Sequence, residues 1–270
     1  MKLILLSIFC VASVLAAEIG YQTPVRMLDL LAKQKSSRIV NGQRAVLGQF
    51  PHQAFMIVTG STQSWACGGS IISDEWILTA AHCVQSAISF SIQLGTVELQ
   101  SAGTVHLTTN SYVKHPSYNP SNYNNDVAVI KLNSKITFNS NIQPITLPVA
   151  GTTNTFENNV ATVSGFGRTK DTDTTFSNYL YYVNLTVMSN SACEALFGSS
   201  AIISSTLCTA AGSNPVTGTC GGDSGGPLIY GGVQIGIVSF GASAGCEKGY
   251  PNGYARVTAF RDWIKTTTGV

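Results

Sequence analysis

The chain has 270 residues, and its 15 Lys and Arg residues against 13 Asp and Glu residues give a formal net charge of only +2 at pH 7. Residues 1–38 hold five of the basic and two of the acidic residues, so residues 39–270 carry 10 basic and 11 acidic ones. This balance argues against a nucleic-acid or membrane surface, and few charges with 26 glycines are typical of an extracellular all-β protein.

The N-terminus predicts secretion. Met1-Lys2 is followed by an apolar run from Leu3 to Leu15 and by Ala16-Ala17, which is the pattern of a secretory signal peptide. The run is too short to span a membrane. We take residues 1–16 as the signal peptide, with cleavage after Ala16 or Ala17.

Secretion changes how the seven cysteines are interpreted. Cys10 lies in the signal peptide, so six cysteines remain in an oxidising compartment, and an even count predicts three disulfides. Their spacing alone leaves 15 possible connectivities. The six are Cys67, Cys83, Cys193, Cys208, Cys220 and Cys246.

The segment around Arg38 is typical of an activation site. A basic residue is followed by Ile39-Val40-Asn41-Gly42, and cleavage after Arg38 would free the amine of Ile39. The alternative is an ordinary linker that enters a strand. On the activation reading, residues 17–38 form a propeptide.

From Ile39 onward, short apolar runs between turn residues predict strands, and one helix follows at the C-terminus. Asn184-Leu185-Thr186 is formally a glycosylation sequon, although it lies in the middle of a predicted strand. The predicted strands are 54–58, 69–72, 76–79, 127–132, 160–167, 181–187 and 234–241, with a crossing between lobes at 142–145 and the helix at 257–266.

Two titratable residues lie at the ends of these strands. His82 follows strand 76–79 and precedes Cys83, which can hold it in place. A lone histidine is more often structural, but this placement favours catalysis. Asp126 leads strand 127–132; such an aspartate is usually a turn residue, or it can be buried to orient an imidazole.

The glycine-rich run 218–228 places Ser224 among five glycines and directly after Asp223. Glycine allows a loop whose N–H groups converge on one point, as a serine nucleophile requires. The alternative is a glycine-rich turn with an incidental serine. Gly222 to Gly226 also match the Gly-x-Ser-x-Gly pattern of α/β-hydrolases, in which histidine follows serine.

The order of the residues decides against that pattern. All four histidines precede Ser224, so a base must come from upstream, in the order His, Asp, Ser. A serine hydroxyl needs a base, and the base needs an orienting acid. The four histidines are His52, His82, His106 and His115.

With these motifs the chain from Ile39 to the end resembles the trypsin/chymotrypsin family of serine proteases. The resemblance covers the whole mature chain, residues 39–270, and the order and spacing of the motifs are highly specific. It implies an all-β fold of two packed antiparallel six-stranded β-barrels, at about 39–145 and 150–255, with a C-terminal α-helix and a cleft between the barrels. The motifs are 39–42, 79–83, Asp126, 222–227 and 239–241.

The resemblance also implies roles. Ser224 is expected as nucleophile, His82 as general base and then acid, and Asp126 as the group that fixes the imidazole tautomer. The N–H groups of Gly222 and Ser224 would form the oxyanion hole, and Asp223 would pair with the freed Ile39 amine. The implied disulfides are Cys67–Cys83, Cys193–Cys208 and Cys220–Cys246.

The pocket motifs imply a chymotrypsin-like preference for bulky apolar or aromatic side chains. Ser239, Phe240 and Gly241 correspond to the edge strand that pairs with substrate, and Gly241 leaves the pocket wall open. Gly218 stands at the pocket floor, where an aspartate would select Lys or Arg. Asn252 stands on another wall; collagen-cutting digestive proteases of insects and crustaceans resemble this pocket but carry an acid there.

The expected partners are protein and peptide substrates and an activating trypsin-like protease, with no nucleic acid and no membrane, for a monomer secreted to the extracellular space or gut lumen. We expect no cofactor and no metal, because the stretch matching the family's calcium loop, 95–115, holds only Glu98 as an acid. The competing hypothesis is a catalytically inactive protease-fold binding protein; such proteins usually lack a triad member.

Overall fold

The structure, a computed structural model, describes residues 39–270, so the predicted signal peptide, the propeptide and Arg38 lie outside the described residues. The described chain is mostly β-strand. Its strands are β1 Gln43–Arg44, β2 Gln53–Gly60, β3 Ser64–Ile71, β4 Trp76–Thr79, β5 Ala87–Leu94, β6 Val105–Thr109, β7 Ser111–Lys114, β8 Ala128–Lys131, β9 Val160–Gly165, β10 Tyr181–Met188, β11 Thr206–Thr209, β12 Gly212–Ser213, β13 Val216–Thr217, β14 Pro227–Tyr230, β15 Val233–Phe240 and β16 Asn252–Arg256.

Three helices complete this part of the chain: α1 Ala81–Val84, α2 Asn190–Phe197 and α3 Val257–Thr268. Within residues 39–270 no helix has the length and apolar character needed to cross a membrane. The sequence predicted α3 but not α2. Ser189 caps the N-terminus of helix α2: its Oγ accepts a hydrogen bond from the Ala192 N–H at 3.2 Å. Within the helix, Cys193 is the only buried residue.

The first sheet has the antiparallel order β6-β5-β2-β3-β4-β8-β7. Its two end strands, β6 and β7, are consecutive in the chain and are separated only by Asn110. One segment therefore pairs with β5 through its first half and with β8 through its second half. The sheet curves around a core to which β8 contributes the fully buried Ala128, Val129 and Ile130.

The second sheet closes into a six-stranded barrel in the order β9-β10-β11-β16-β15-β14, since β14 also pairs with β9. In β10 the side chains of Tyr181, Leu185 and Val187 are buried while Asn184 and Thr186 are exposed, as the period of two in a strand requires. The predicted all-β fold with a C-terminal helix is confirmed.

The first strand of the described chain does not pair within the first sheet. Strand β1, Gln43–Arg44, pairs with Tyr181 and Tyr182 of β10, so the segment that opens the described chain attaches to the second barrel. Helix α3, at the other end of the described chain, packs on the first barrel. Its residues Val257, Phe260 and Ile264 are buried in the core of that barrel. Each barrel is thus completed by a segment from the other end of the described chain.

Buried hydrogen bonds between side chains join the two barrels. Ser70 of β3 donates to Gln234 of β15 at 2.6 Å, and Ser164 of β9 donates to Gln53 of β2 at 2.7 Å. All four residues are at most 4% exposed. Because a buried polar group left without a partner costs about 1–3 kcal/mol, these pairs favour one relative placement of the barrels.

The structure contains the three disulfides that the resemblance implied. Cys67–Cys83 joins β3 to α1, Cys193–Cys208 joins α2 to β11, and Cys220–Cys246 joins the Ser224 loop to the loop after β15. Closing loops of this size contributes about 3 kcal/mol each through the unfolded state.

Buried His52 leads to a prediction about stability at acidic pH. Its side chain is 6% exposed, its Nε2 has no hydrogen-bond partner in the described chain, and burial lowers its pKa from 6.5 to about 4. As the pH falls from 6.5 to 4 the unfolded chain takes up this proton before the folded chain does. The free energy of unfolding should therefore fall by up to about 3 kcal/mol through this group.

The test is urea unfolding from pH 7 to pH 4 in a Ser224→Ala background, which prevents self-digestion. His52→Gln should reduce the fall in the free energy of unfolding between pH 7 and pH 4. This holds whatever effect the substitution has on stability at pH 7. His106→Gln is the matched control, because His106 is exposed. If both variants retain the parent's pH dependence, His52 is not the residue responsible.

Candidate active site

The structure brings His82, Asp126 and Ser224 to the cleft between the barrels. His82 lies in α1 directly after β4, Asp126 lies two residues before β8, and Ser224 lies in the loop before β14. His82 and Ser224 line the same cavity of about 300 Å³. The cavity is also lined by Tyr123, Thr219, Cys220, Gly221, Val238, Ser239, Phe240, Gly241, Ala242 and Cys246.

Asp126 holds His82 through two hydrogen bonds. Its Oδ2 lies 2.7 Å from His82 Nδ1, and its Oδ1 accepts the His82 backbone N–H at 2.8 Å. The side chain of Asp126 is fully buried, whereas that of His82 is 22% exposed. Because an ionised carboxylate can only accept, the bond requires a proton on Nδ1, which leaves Nε2 of the neutral ring free to take one.

A third donor reaches the same carboxylate from the second barrel. Ser239 of β15 donates its hydroxyl to Asp126 Oδ2 at 2.5 Å and is itself 5% exposed. Sequence analysis placed Ser239 on the substrate-binding strand and did not foresee this contact. Asp126 therefore accepts hydrogen bonds from both barrels, which compensates for burial of its charge.

The Ser224 loop is organised around a second buried carboxylate, that of Asp223. Its Oδ1 accepts the N–H of Gly167 at 2.8 Å, and its Oδ2 accepts the N–H of Cys220 at 2.9 Å. Burial raises its pKa to about 7, although both backbone hydrogen bonds act in the opposite direction. A Cβ atom on Gly165 or Gly167 would collide with this carboxylate, so both positions need glycine.

The loop leaves a set of N–H groups without intramolecular acceptors. The N–H groups of Asp223, Gly225 and Gly226 donate to carbonyl oxygens within or beside the loop. In contrast, those of Gly221, Gly222 and Ser224 donate to no atom of residues 39–270. Gly222 has a φ of +100° and packs against Gly167, where a side chain would be strained. These N–H groups can donate hydrogen bonds to an oxygen that gains negative charge beside Ser224.

Below the cavity, Asn252 packs against Gly218. Asn252 Oδ1 accepts hydrogen bonds from the N–H and the hydroxyl of Thr219, at 2.9 and 2.8 Å. Since a backbone N–H can only donate, this contact fixes the orientation of the amide. Asn252 Nδ2 is buried and has no partner in the described chain. A Cβ atom on Gly218 would lie 3.0 Å from both ends of the amide.

Gly218 and Asn252 differ from the other predicted pocket residues in their position relative to the cavity. Ser239, Phe240 and Gly241 line the cavity directly. Gly218 and Asn252 are buried and are not among the lining residues of the described chain; they contact the cavity through Thr219.

The start of the described chain lies beside this pocket. Ile39 is fully buried, Val40 pairs with Gly218, and the Asn41 side chain donates to the carbonyl of Val216 at 2.7 Å. Gly218 precedes Asp223 by five residues, so this segment is anchored next to the Ser224 loop.

Sequence reasoning missed Tyr123. Its ring meets His82 edge-on with centroids 5.7 Å apart and lies 6.1 Å from the ring of Phe240, so it forms part of the cleft wall. Tyr123 has a φ of +58°, which is uncommon for a side chain of this size. The only signal was its position three residues before Asp126 in a turn-rich stretch.

Two groups of potential metal ligands occur within residues 39–270. One joins His82 to Cys67 and Cys83, and the other joins Asp171 to Cys220 and Cys246. In both groups the two cysteines form a disulfide, so neither offers a thiolate to a metal ion.

Two packed β-sheets with a serine, a histidine and a buried aspartate in the cleft between them define the class of serine endopeptidases. The chain belongs to the trypsin family, whose model, described as Trypsin, matches residues 39–264.

Two similar proteins and one solved structure confirm the resemblance to insect chymotrypsin-like and collagenolytic serine proteases. The chain is 41% identical to a protein named Collagenase from Hypoderma lineatum, over 96% of each chain. It is 40% identical to Brachyurin from Leptuca pugilator, over 86% of this chain and 99% of the relative. The solved structure of HL collagenase is 39% identical, with a TM-score of 0.79 over 86% of this chain and 99% of that one.

The hydrogen bonds to Asp126 predict a graded response to substitution. Asp126→Asn should lower kcat by about ten-thousand-fold, because an amide no longer favours the Nδ1–H tautomer. Ser239→Ala removes one of three donors and should lower kcat by only about tenfold. Turnover of a chromogenic peptide measures both effects. Ser111→Ala, at an exposed serine of β7, is the control; an Asp126→Asn enzyme of near-normal kcat would exclude Asp126 from the mechanism.

Proposed function

We propose that the protein is a secreted digestive endopeptidase that is made as a zymogen and cleaves peptide bonds through Ser224, His82 and Asp126. One observation carries the proposal: His82, hydrogen-bonded to buried Asp126 through Nδ1, lines the same cavity as Ser224. Three disulfides are in keeping with an oxidising, extracellular compartment.

The chemistry follows from these groups. His82 Nε2 takes the proton of the Ser224 hydroxyl as Oγ attacks the substrate carbonyl, and Asp126 stabilises the imidazolium that forms. The N–H groups of Gly222 and Ser224 bind the oxyanion of the tetrahedral intermediate. His82 then protonates the leaving amine as the peptide bond breaks. In the second half of the reaction, His82 takes a proton from a water molecule that attacks the acyl carbonyl, and it returns the proton to Ser224 Oγ as the ester bond breaks and the acid product leaves.

Labelling with a fluorophosphonate separates this proposal from an inactive protease-fold binding protein. The activated enzyme should react stoichiometrically at Ser224, because the reagent needs an activated serine. Ser224→Ala should abolish labelling and lower kcat by about a million-fold. His82→Ala should be as inactive, and the double variant little worse than either. An unlabelled, correctly folded wild-type protein would favour the binding-protein alternative.

Activation by cleavage after Arg38 is supported by the surroundings of Asp223. In the uncut chain the nitrogen of Ile39 is an uncharged amide. Asp223 is buried with two backbone donors, and burial raises its pKa to about 7. Cleavage would create an ammonium group on Ile39, which is itself buried. An ion pair with Asp223 would lower that pKa and hold the loop of Gly222 and Ser224 in place.

The proposed specificity is for Phe, Tyr, Leu or Met before the scissile bond. Thr219, Ser239 and Gly241 line the cavity with uncharged groups, and Asn252 behind Thr219 is also neutral. Burying an arginine or lysine in such a pocket would leave its charge unpaired, at a cost of several kcal/mol. The relatives named collagenase and brachyurin support a protein substrate.

The combined prediction is that the zymogen cannot activate itself. Purified zymogen should remain inactive when incubated alone and become active after limited treatment with trypsin, which accepts Arg38. The activated enzyme should then cleave a phenylalanyl substrate at least about a hundredfold better than an arginyl one, because of the unpaired cation. Rapid self-activation together with a preference for arginine would contradict the assignment.

A matched pair of variants tests the pocket floor. Gly218→Asp alone would crowd the Asn252 amide, since a Cβ there lies 3.0 Å from it. Gly218→Asp combined with Asn252→Gly should shift the preference toward Arg and Lys. Asn252→Gly alone is the control and should retain the preference for Phe.

A further inference from the structure

The sequon Asn184-Leu185-Thr186 lies within strand β10 of the second barrel. It is the only Asn-x-Ser/Thr triplet of the sequence that can be a glycosylation acceptor, because Asn119-Pro120-Ser121 has a proline in the middle. Occupied sequons are typical of surface loops, so a position inside a strand is unusual. The surroundings of Asn184 in the barrel therefore decide whether the sequon can carry a glycan.

The asparagine and the threonine of the sequon share the outer face of the barrel. Asn184 and Thr186 are both exposed, whereas Leu185 between them is buried in the barrel core. Successive side chains of a strand point to opposite sides of the sheet. A group attached to Asn184 would therefore project away from the core and leave the backbone hydrogen bonds of β10 in place.

The nitrogen of the Asn184 amide is free. Its Oδ1 accepts a hydrogen bond from the hydroxyl of Thr162 at 2.8 Å, whereas its Nδ2 donates to no atom of residues 39–270. N-glycosylation replaces one of the two N–H bonds at Nδ2 and leaves Oδ1 as an acceptor. The hydrogen bond from Thr162 can therefore remain after modification, and it holds the amide in one orientation.

The outer face around Asn184 has room for a sugar. The register of β9 and β10 places Thr162 opposite Asn184 and Val160 opposite Thr186, so these four side chains lie on one face. Val160 is 58% exposed, which shows that nothing in residues 39–270 covers this face.

Strand β10 also has a free edge at this point. On the side away from β9, β1 pairs only with residues 181–182 and β11 only with residues 187–188. No strand of the described chain pairs with residues 183–186 on that side. A bulky group on Asn184 is therefore not confined by a neighbouring strand on both sides.

A glycan on this face would leave the active site open. None of Val160, Thr162, Asn184 and Thr186 lines the cavity that His82 and Ser224 share. The modification is therefore compatible with cleavage of peptide substrates.

We infer that Asn184 carries an N-linked oligosaccharide on the outer face of the second barrel. The inference rests on secretion, which is part of the proposed function. In the transfer, Asn184 Nδ2 forms a bond to the anomeric carbon of an oligosaccharide linked to a polyisoprenyl pyrophosphate. The bond from that carbon to the pyrophosphate oxygen breaks, the lipid pyrophosphate leaves with the electron pair, and Nδ2 loses one proton to a base of the transferase.

The test is expression of the wild-type chain, including residues 1–38, in insect cells. The secreted zymogen is treated with peptide N-glycosidase A in heavy-oxygen water, and Asn184 is then read by tandem mass spectrometry. Most of the zymogen should migrate faster on a denaturing gel after treatment. The released site should appear as an aspartate that contains the heavy oxygen.

Variants assign the shift in migration to the sequon. Asn184→Gln and Thr186→Val should abolish it, whereas Thr186→Ser should retain it because serine also supplies a hydroxyl. Asn178→Gln changes an exposed asparagine outside any sequon and should keep the wild-type shift. After activation with trypsin, all four variants should cleave a phenylalanyl substrate at the wild-type rate.

The outcomes separate this inference from the proposed function. If the wild-type zymogen is secreted and can be activated but its Asn184 is unmodified, the inference is wrong and the proposed function stands. If Asn184 is modified but the trypsin-treated protein has no activity, the inference stands and the proposed endopeptidase is wrong. If the chain stays inside the cell, both secretion and the inference are wrong.

Discussion

The carboxylate of Asp126 is a buried point of contact between the two barrels. It is fully buried, and it accepts hydrogen bonds from His82 of the first barrel and from Ser239 of the second. A buried charge without such donors would cost several kcal/mol, so the barrels must pack in the register that supplies them. The pairs Ser70–Gln234 and Ser164–Gln53 favour the same register. The cleft therefore lies where buried hydrogen bonds hold the two barrels in one relative position.

Asp223 shows how different surroundings give a second buried aspartate a different role. Asp126 faces an imidazole that can become cationic, whereas Asp223 faces only two backbone N–H groups and has a pKa raised to about 7 by burial. In the proposed mechanism, the first arrangement would stabilise the imidazolium charge that forms during each turnover. The second would make the order of the Ser224 loop sensitive to a new cation nearby.

The sequence predicted His82, Asp126 and Ser224 as one set because their types and order constrain each other, and the structure places all three at one cleft. Strands such as β10 were predictable from their alternating pattern. Strand β1 was not, because two exposed polar residues carry no hydrophobic period. The contact of the Tyr123 ring with His82 depends on where the turn-rich stretch before Asp126 places that ring, and local sequence does not encode this placement.

Each end of the described chain packs on the barrel that the other half of the chain forms, and this has a consequence for folding during synthesis. All strands of the first barrel have been made once residue 131 has left the ribosome, yet its core is completed by Val257, Phe260 and Ile264. Strand β1, made earliest, must wait for β10. Each barrel therefore lacks a segment that completes it until residues 39–270 have all been made. The native core of the nascent protein can form only at that stage.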